Sequence, residues 1–332
     1  METRIFGRSG LRLSILGFGC GAVGGLMVRG SDADQDKAVG LALDAGISYF
    51  DTAVQYGNGA SETNLGRVMA TRRPEGVAVG TKVRVPPENF AAIGKTIADS
   101  MDGSLKRLRM DHVDIFHLHN PISLQGGGES LSVSQLQNEV VPAFEALRKA
   151  GKTRFLGITA IGDTAALHQV IDAELIDSAQ VSYNVLNASA ATALPPNYPA
   201  QDYGRLFDHT QKAGVGVVGI RVLAAGALSG SAERHPTASP PPAPIGSAHS
   251  YQIDLERARR LMPLVTEGFA ASLAEVAIRF AITNKAMGTI LVGMATVAEF
   301  QGSLAAVQKG PLPQPALDRL AALTANFSGE RR

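Results

Sequence analysis

Short apolar runs and amphipathic stretches alternate along the whole chain. Runs of strand type fall at 47–50 (ISYF), 77–81 (VAVGT), 113–118 (VDIFHL), 154–158 (RFLGI), 179–182 (AQVS), 215–220 (VGVVGI) and 289–292 (TILV). Ahead of them, "TRIFGRSGLRLSILGFGC" has two apolar runs around Gly7 to Gly10, which predicts a hairpin leading into a first buried strand over Leu13–Gly19. Stretches with a helical period lie between the runs, at 32–45, 61–71, 88–108, 132–150, 163–173, 202–213, 272–284 and 296–307. "SDAD" at 31–34 and "SLAE" at 272–275 have the Ser-x-x-acid form of a helix N-cap, and Ser61 is placed to cap the helix after it. Gly46, Gly151 and Gly214 stand where helix C-terminal glycines belong.

Eight strand–helix units with short strands predict an α/β protein built as a closed (β/α)8 TIM barrel, in preference to two Rossmann halves. The 332 residues then form a single barrel domain, 1–332, with an N-terminal β-hairpin and extra helices near 252–268 and 314–325. "HPTASPPPAPIGSAHS", 235–250, carries four prolines between 240 and 244 and reads as a long loop after strand seven, either a lid or a surface excursion. A second long loop, "NPISLQGGGES", follows strand four.

Composition narrows the function. A hydrophobic content of 45%, a charged content of 18% and a net charge of +1 describe an ordinary globular chain with a large core and no nucleic-acid signature. The nearest basic run, "LKRLRM" at 105–110, alternates with Leu and reads as a helix end. A lone Cys20 excludes an internal disulfide framework, and no CxxC-type spacing announces a metal, so the site residues include no metal ligands. No membrane-length apolar run and no signal-peptide core appear, so the expected setting is the cytoplasm, away from membranes.

In a barrel of this kind, chemistry collects at the C-terminal ends of the strands. Strand two ends at Asp51, strand three at Lys82, strand four at His119, strand five at Thr159, strand six near Gln180 to Asn184, and strand seven in "IRVLAAG". Asp51, Lys82 and His119 therefore share one rim, with Tyr56 on the loop above it. A phenol is a poor acid at neutral pH unless its phenolate is stabilised, and an ammonium beside it lowers its pKa. Lys82 fits that task, Asp51 orients the lysine, and His119 can hydrogen-bond a carbonyl oxygen. Such a group suits protonation of an oxyanion as a carbonyl accepts hydride.

These residues and their surroundings resemble the aldo-keto reductases. The likeness is carried by "GISYFDTAVQYGNGASETNLG" (46–66), "GTKV" (80–83), "DIFHLHNP" (114–121), "FLGIT" (155–159), "QVSYN" (180–184), "LAAGALSG" (223–230) and "LVGM" (291–294), in order over nearly the whole chain. The resemblance implies a catalytic tetrad of Asp51, Tyr56, Lys82 and His119, with Tyr56 as general acid. It also implies a nicotinamide dinucleotide, NAD or NADP, lying extended across the rim. Thr159 and Gln180 would meet the nicotinamide carboxamide. Gly19 and Cys20 would lie near its ribose, with Asp51 among the contacts. Ile220, Arg221, Val222, Leu223, Gly226 and Leu228 would follow the pyrophosphate, and Gly293, Met294, Ala295, Glu299 and Ser303 would surround the adenosine.

The chain departs from the family pattern in three places. Thr159-Ala160 replaces a common Ser-Asn, Ile220 stands where an aromatic ring often stacks on the nicotinamide, and Arg221 replaces a small polar residue. The stretch 293–303 has no Lys or Arg to meet a 2′-phosphate, and Glu299 suits a free ribose hydroxyl, so the balance tips toward NAD. The substrate, a small aldehyde, ketone or sugar lactol, is expected at a rim formed by Val28, Val54, Gln55, Tyr56, His119 and Asn120.

Three rivals stand beside this reading. "GCGAVG" at 19–24, with Asp44, imitates a Rossmann fingerprint, but glycines continue to Gly30 before the helix cap at Ser31. "HLH" at 117–119 would suit a metal-dependent hydrolase using His117 and His119, yet no further ligands stand at the neighbouring strand ends. A nucleotide-binding regulatory subunit with little turnover is the non-enzymatic alternative. Nothing in the sequence fixes the oligomeric state or the direction of the reaction.

Overall fold

The computed structural model describes residues 1–72, 74–194, 198, 200–244, 247–325 and 327. Eight parallel strands close into a barrel: Leu16–Gly19, Tyr49–Asp51, Ala78–Val83, Val113–Leu118, Thr153–Thr159, Ser178–Ser182, Gly216–Ile220 and Met287–Val292, here strands one to eight. Each strand pairs with its neighbours in sequence, and strand eight returns to strand one through Ile290↔Leu16. Helices cover the outside, as the alternating pattern requires.

Most expected elements appear within a residue or two, and Ser31 and Ser272 cap their helices by accepting from Asp34 N and Glu275 N. Three expectations need correction. The run Leu13–Gly19 is broken at Ile15: Leu11–Ser14 pairs with Thr3–Phe6 in the hairpin, and only Leu16–Gly19 joins the barrel. Ser14 causes the break, since its Oγ donates to Leu16 O at 2.6 Å while its N–H donates to Ser48 Oγ at 2.8 Å. The helix expected over 132–150 contains a π turn, Leu136–Val140, just before Pro142, whose missing N–H cannot complete an α-helical bond. Ser61 does not cap its helix, which begins at Ala60. Its buried hydroxyl instead donates to Cys20 O at 2.9 Å and shares a 2.8 Å bond with Thr52 Oγ1.

The hairpin closes the lower end of the barrel. Phe6, fully buried, lies against Gly216 and Gly288, where an added Cβ would meet its ring at 2.6 and 2.5 Å. Above it the interior is filled by Leu13, Tyr49, Ile115, Val218 and Leu291. Side chains alternate in and out along a strand, so the parity that sends Tyr49 inward also sends Asp51 inward. The same count by two places Lys82, His117, Gln180 and Ser182 on the inner face. The interior thus passes from apolar at the hairpin to polar at the mouth. Of the Pro-rich segment 235–250, residues 245 and 246 lie outside the described residues.

Candidate functional site

The mouth is organised around one buried lysine. Lys82 Nζ donates to Asp51 Oδ1 in a very short contact, to Thr52 O at 2.8 Å and to Tyr56 Oη at 3.1 Å. Asp51 Oδ2 accepts from Tyr49 Oη at 2.9 Å and from Gln180 Nε2 at 2.6 Å. The carboxylate therefore has both oxygens hydrogen-bonded, and Lys82 has one donor directed at the phenol.

Tyr56 reaches the lysine because the chain reverses just beyond it. Gly57 and Gly59 take φ of 65° and 89°, values that strain any residue with a Cβ, and Gly59 N closes the turn on Val54 O at 2.7 Å. The following helix is fixed from behind by the buried Glu62, which accepts from Thr81 Oγ1 at 2.5 Å and Arg107 Nε at 2.6 Å. His119 completes the group, its ring edge-on to Tyr56 with centroids 6.2 Å apart.

Electrostatics assign the protonation states. For Lys82, burial favours the neutral amine, but Asp51 and Tyr56 more than reverse it, so the ammonium is held charged. Burial pushes the Tyr56 phenol up, and the Lys82 charge offsets only part of this. The expectation that the phenol pKa falls is thus corrected: desolvation outweighs the ammonium, and Tyr56 is a neutral proton donor. Burial, then Lys82, Arg84 and Arg221, push His119 down to about 3, which leaves a neutral imidazole able to donate one N–H. His117 is also held neutral by burial, and its Nε2 pairs with Ser178 Oγ at 2.9 Å inside the barrel. Among the described residues no group of three or more His, Cys, Asp and Glu is placed to hold a metal ion.

The expected cofactor residues fall in two groups. Gly19, Thr159, Gln180 and Ile220 lie at the mouth, where Thr159 Oγ1 faces Gln180 Oε1 at 3.5 Å. The turn after strand seven forms the floor of a groove. Arg221, Ala224 and Ala225 have φ of 60°, 46° and 58°, and Gly226 of 105°. Left-handed backbone at three non-glycine sites within five residues is costly and tends to gather at ligand sites. Asn184 Nδ2 holds the turn through Arg221 O at 3.0 Å. A crevice opens here, lined by Asn184, Arg221, Ala224 and Ala225 below and by Pro242 and Pro244 above. Ala224, Ala225 and Gly226 keep this part of the floor to backbone and small side chains, a lining that fits the diphosphate of a dinucleotide. Leu223 is half-buried in this turn and Val222 and Leu228 are buried in it, whereas Cys20 is buried at the end of strand one beside Asp51 and Ser61.

Other expected contacts are less available. Asn120, expected on the substrate rim, is fully buried: its Oδ1 accepts Val85 N and its Nδ2 donates to Val85 O and Glu129 O, so it shapes the loop after strand four from beneath. Ser303 Oγ donates to Glu299 O, and Glu299 Oε2 accepts Ala295 N at 2.6 Å. Both thus bond within the N-terminal turns of their helix; Gly293 and Glu299 remain exposed, while Met294, Ala295 and Ser303 are buried. Val28 and Val54 are half-buried and Gln55 is exposed, as a rim requires.

Tyr49, Ser182 and Tyr203 were not foreseen. Counting by two from Asp51 and from Gln180 would have found the first two; Tyr203 comes from a loop and has no such signal.

Comparison with known proteins agrees with this geometry. Residues 15–325 match the aldo/keto reductase family. The chain is 30% identical over 313 residues to an L-galactose dehydrogenase of Arabidopsis thaliana, covering 92% of this chain and 88% of that one. It is 30% identical over 216 residues to a D-threo-aldose 1-dehydrogenase of a Pseudomonas species, covering 57% and 63%. Among solved structures, an aldo-keto reductase of Bacillus halodurans in its holo form superposes with a TM-score of 0.70 at 25% identity, over 97% of this chain and 96% of that one. The chain belongs to the aldo/keto reductase family of NAD(P)-dependent oxidoreductases.

Proposed function

We propose that this protein interconverts a carbonyl and an alcohol at the mouth of its barrel, with Tyr56 as general acid and base and with a sugar lactol or small aldehyde as substrate. The observation that carries the reading is the single ammonium of Lys82 bonded at once to Asp51, Thr52 O and the Tyr56 hydroxyl. The two sugar dehydrogenases among the relatives support an aldose.

When bound, the nicotinamide supplies hydride to the carbonyl carbon or takes it from the alcohol carbon. The chain's residues handle the oxygen. His119, neutral, donates a hydrogen bond that orients it. Tyr56 transfers its proton to it in reduction, and Lys82 stabilises the phenolate left behind until solvent returns a proton. Oxidation runs the same proton back to Tyr56. Gly19, Thr159, Gln180, Ile220 and the backbone of the turn 221–228 would hold the dinucleotide. At its far end, 293–303 offers Glu299 and no cation, which favours NAD over NADP.

Tyr56→Phe should lower kcat about 10²–10⁴-fold and leave cofactor affinity nearly unchanged. Titration of both proteins with NADH and NADPH, followed by tyrosine fluorescence since the chain has no Trp, reads the second half. Full activity in the variant defeats the mechanism, and tighter NADPH than NADH binding defeats the cofactor preference. Nucleotide binding without turnover of any aldose or aldehyde, in either direction, would favour a regulatory role.

A further inference from the structure

Three cations act on His119, and one of them has no counter-charge. Lys82 is paired with Asp51, and Arg84 with Glu129. Among the described residues the guanidinium of Arg221 has neither an acidic partner nor a hydrogen bond, and the ionisable groups it feels are the phenols of Tyr203 and Tyr56. Its direction is set by a left-handed backbone, φ 60°, and by Asn184 clamping its carbonyl.

Two buried hydroxyls without partners stand beside it. Ser182 pairs in register with Ile220, the residue before Arg221, and its parity with Gln180 turns its side chain into the mouth. Among the described residues neither Ser182 Oγ nor Tyr203 Oη, both buried, meets a partner in good hydrogen-bond geometry, and the two hydroxyls lie close to each other with Arg221 as the nearby charge. Buried polar groups are rarely left unmatched, and an orphaned pair beside an unpaired guanidinium asks for an acceptor with several lone pairs.

We infer that Ser182, Tyr203 and Arg221 form an oxyanion subsite that holds a carboxylate or phosphate borne by the substrate, so that the preferred substrate is an acidic sugar or acidic aldehyde. The inference rests on the carbonyl reading above. Its warrant is that Arg221 directly follows the Ile220 that pairs with Ser182 at the mouth, and that its charge acts on Tyr56 and His119, the two groups that meet the reacting oxygen. An anion on this guanidinium would therefore share the mouth with the carbonyl.

The test compares matched acid and neutral substrates: galacturonate with galactose in oxidation, and 4-oxobutanoate with its amide in reduction. In the native enzyme the acid is preferred. Arg221→Gln should reduce the acid-to-neutral ratio of kcat/KM about 10- to 100-fold, the loss falling on KM, since a charge-assisted hydrogen bond is at stake. Arg221→Lys should recover part of the ratio, and Tyr203→Phe should lower it by a smaller factor. An unchanged ratio in Arg221→Gln overturns the inference. So does a loss that appears instead as weaker binding of NADH or NADPH to the free protein, which would give Arg221 to the cofactor diphosphate.

A second arm needs no turnover: thermal melting of the free protein with added oxalate or orthophosphate. Stabilisation of the native protein that disappears in Arg221→Gln supports the subsite, and no stabilisation of either counts against it. If no carbonyl turns over, the reaction reading fails alone and this arm decides the subsite.

Discussion

Asp51 is a buried carboxylate whose position depends on three donors from three different strands. Tyr49 comes from its own strand, Lys82 from strand three and Gln180 from across the barrel. Removing one member of such a buried pair leaves an uncompensated charge, which costs about 3–5 kcal/mol, whereas removing both charges costs less. Lys82→Met should therefore destabilise the protein by about that amount, and the double variant Asp51→Asn, Lys82→Met should be more stable than Lys82→Met alone. Urea unfolding of the wild type, both single variants and the double variant measures the difference; a double variant less stable than Lys82→Met would show that the pair is not the source. The four reactive groups were legible from the sequence because each ends a strand or follows one. Ser61 was misread because a Ser near a helix start looks like a cap, and nothing in the sequence shows that its hydroxyl is drawn back to Cys20 O by tertiary packing.

At the scale of the element, the Pro-rich stretch shows what composition can and cannot tell. Prolines without apolar periodicity exclude helix and strand, and the segment indeed runs as irregular chain over 235–244. Its anchoring was invisible, because the partners are backbone carbonyls. Arg234 Nη1 donates to Ala225 O and Nε to Ser239 O, both at 2.8 Å, with the guanidinium over the Tyr251 ring at 5.7 Å. Farther along, Arg29 Nε donates to Thr237 O at 2.7 Å and Ser239 N to Val23 O at 2.9 Å, so the strap is tied to the loop after strand one. It thereby covers the groove whose floor is the turn after strand seven. Arg234→Ala removes three hydrogen bonds from a charged donor, two to backbone carbonyls and a long one to Tyr251 Oη, together about 1–2 kcal/mol in a half-buried setting. Local opening should rise about 5- to 30-fold, read as faster proteolytic cleavage within 235–244 while global melting changes little. Cleavage at the native rate would mean that Arg234 is not what holds the strap.

At the scale of the whole molecule, the barrel keeps two neutral histidines where water cannot reach freely. His117 lies against Gly157, where an added Cβ would approach its ring at 2.4 Å, and His119 stands above it at the mouth. The order of eight units was readable from alternating patterns, yet this layer was not, because it depends on glycines opposite bulky inward side chains. The layer couples folding to pH. Both histidines have folded pKa values below that of the unfolded chain, His119 down to about 3 and His117 well below the ordinary range, burial being the main cause. Between ~6.5 and the folded values the unfolded chain binds more protons, so their stabilising contribution is present above ~6.5 and is lost as pH falls. His119 contributes about 1.4 kcal/mol per pH unit across that window, so from pH ~7.5 to ~4.5 it removes roughly 3 kcal/mol, and His117 adds to the loss in the same direction. That is a large part of an ordinary folding free energy. His117→Gln keeps a hydrogen-bonding group near Ser178 but cannot titrate. The variant should be somewhat less stable at pH ~7.5, from imperfect packing, and should lose less stability than the wild type on acidification. Urea midpoints of both proteins at the two pH values measure this, with the common titration of surface carboxylates cancelling in the difference. Parallel losses in the two proteins would mean that His117 takes up its proton without unfolding the barrel, and the acid sensitivity would then have to come from elsewhere in the fold.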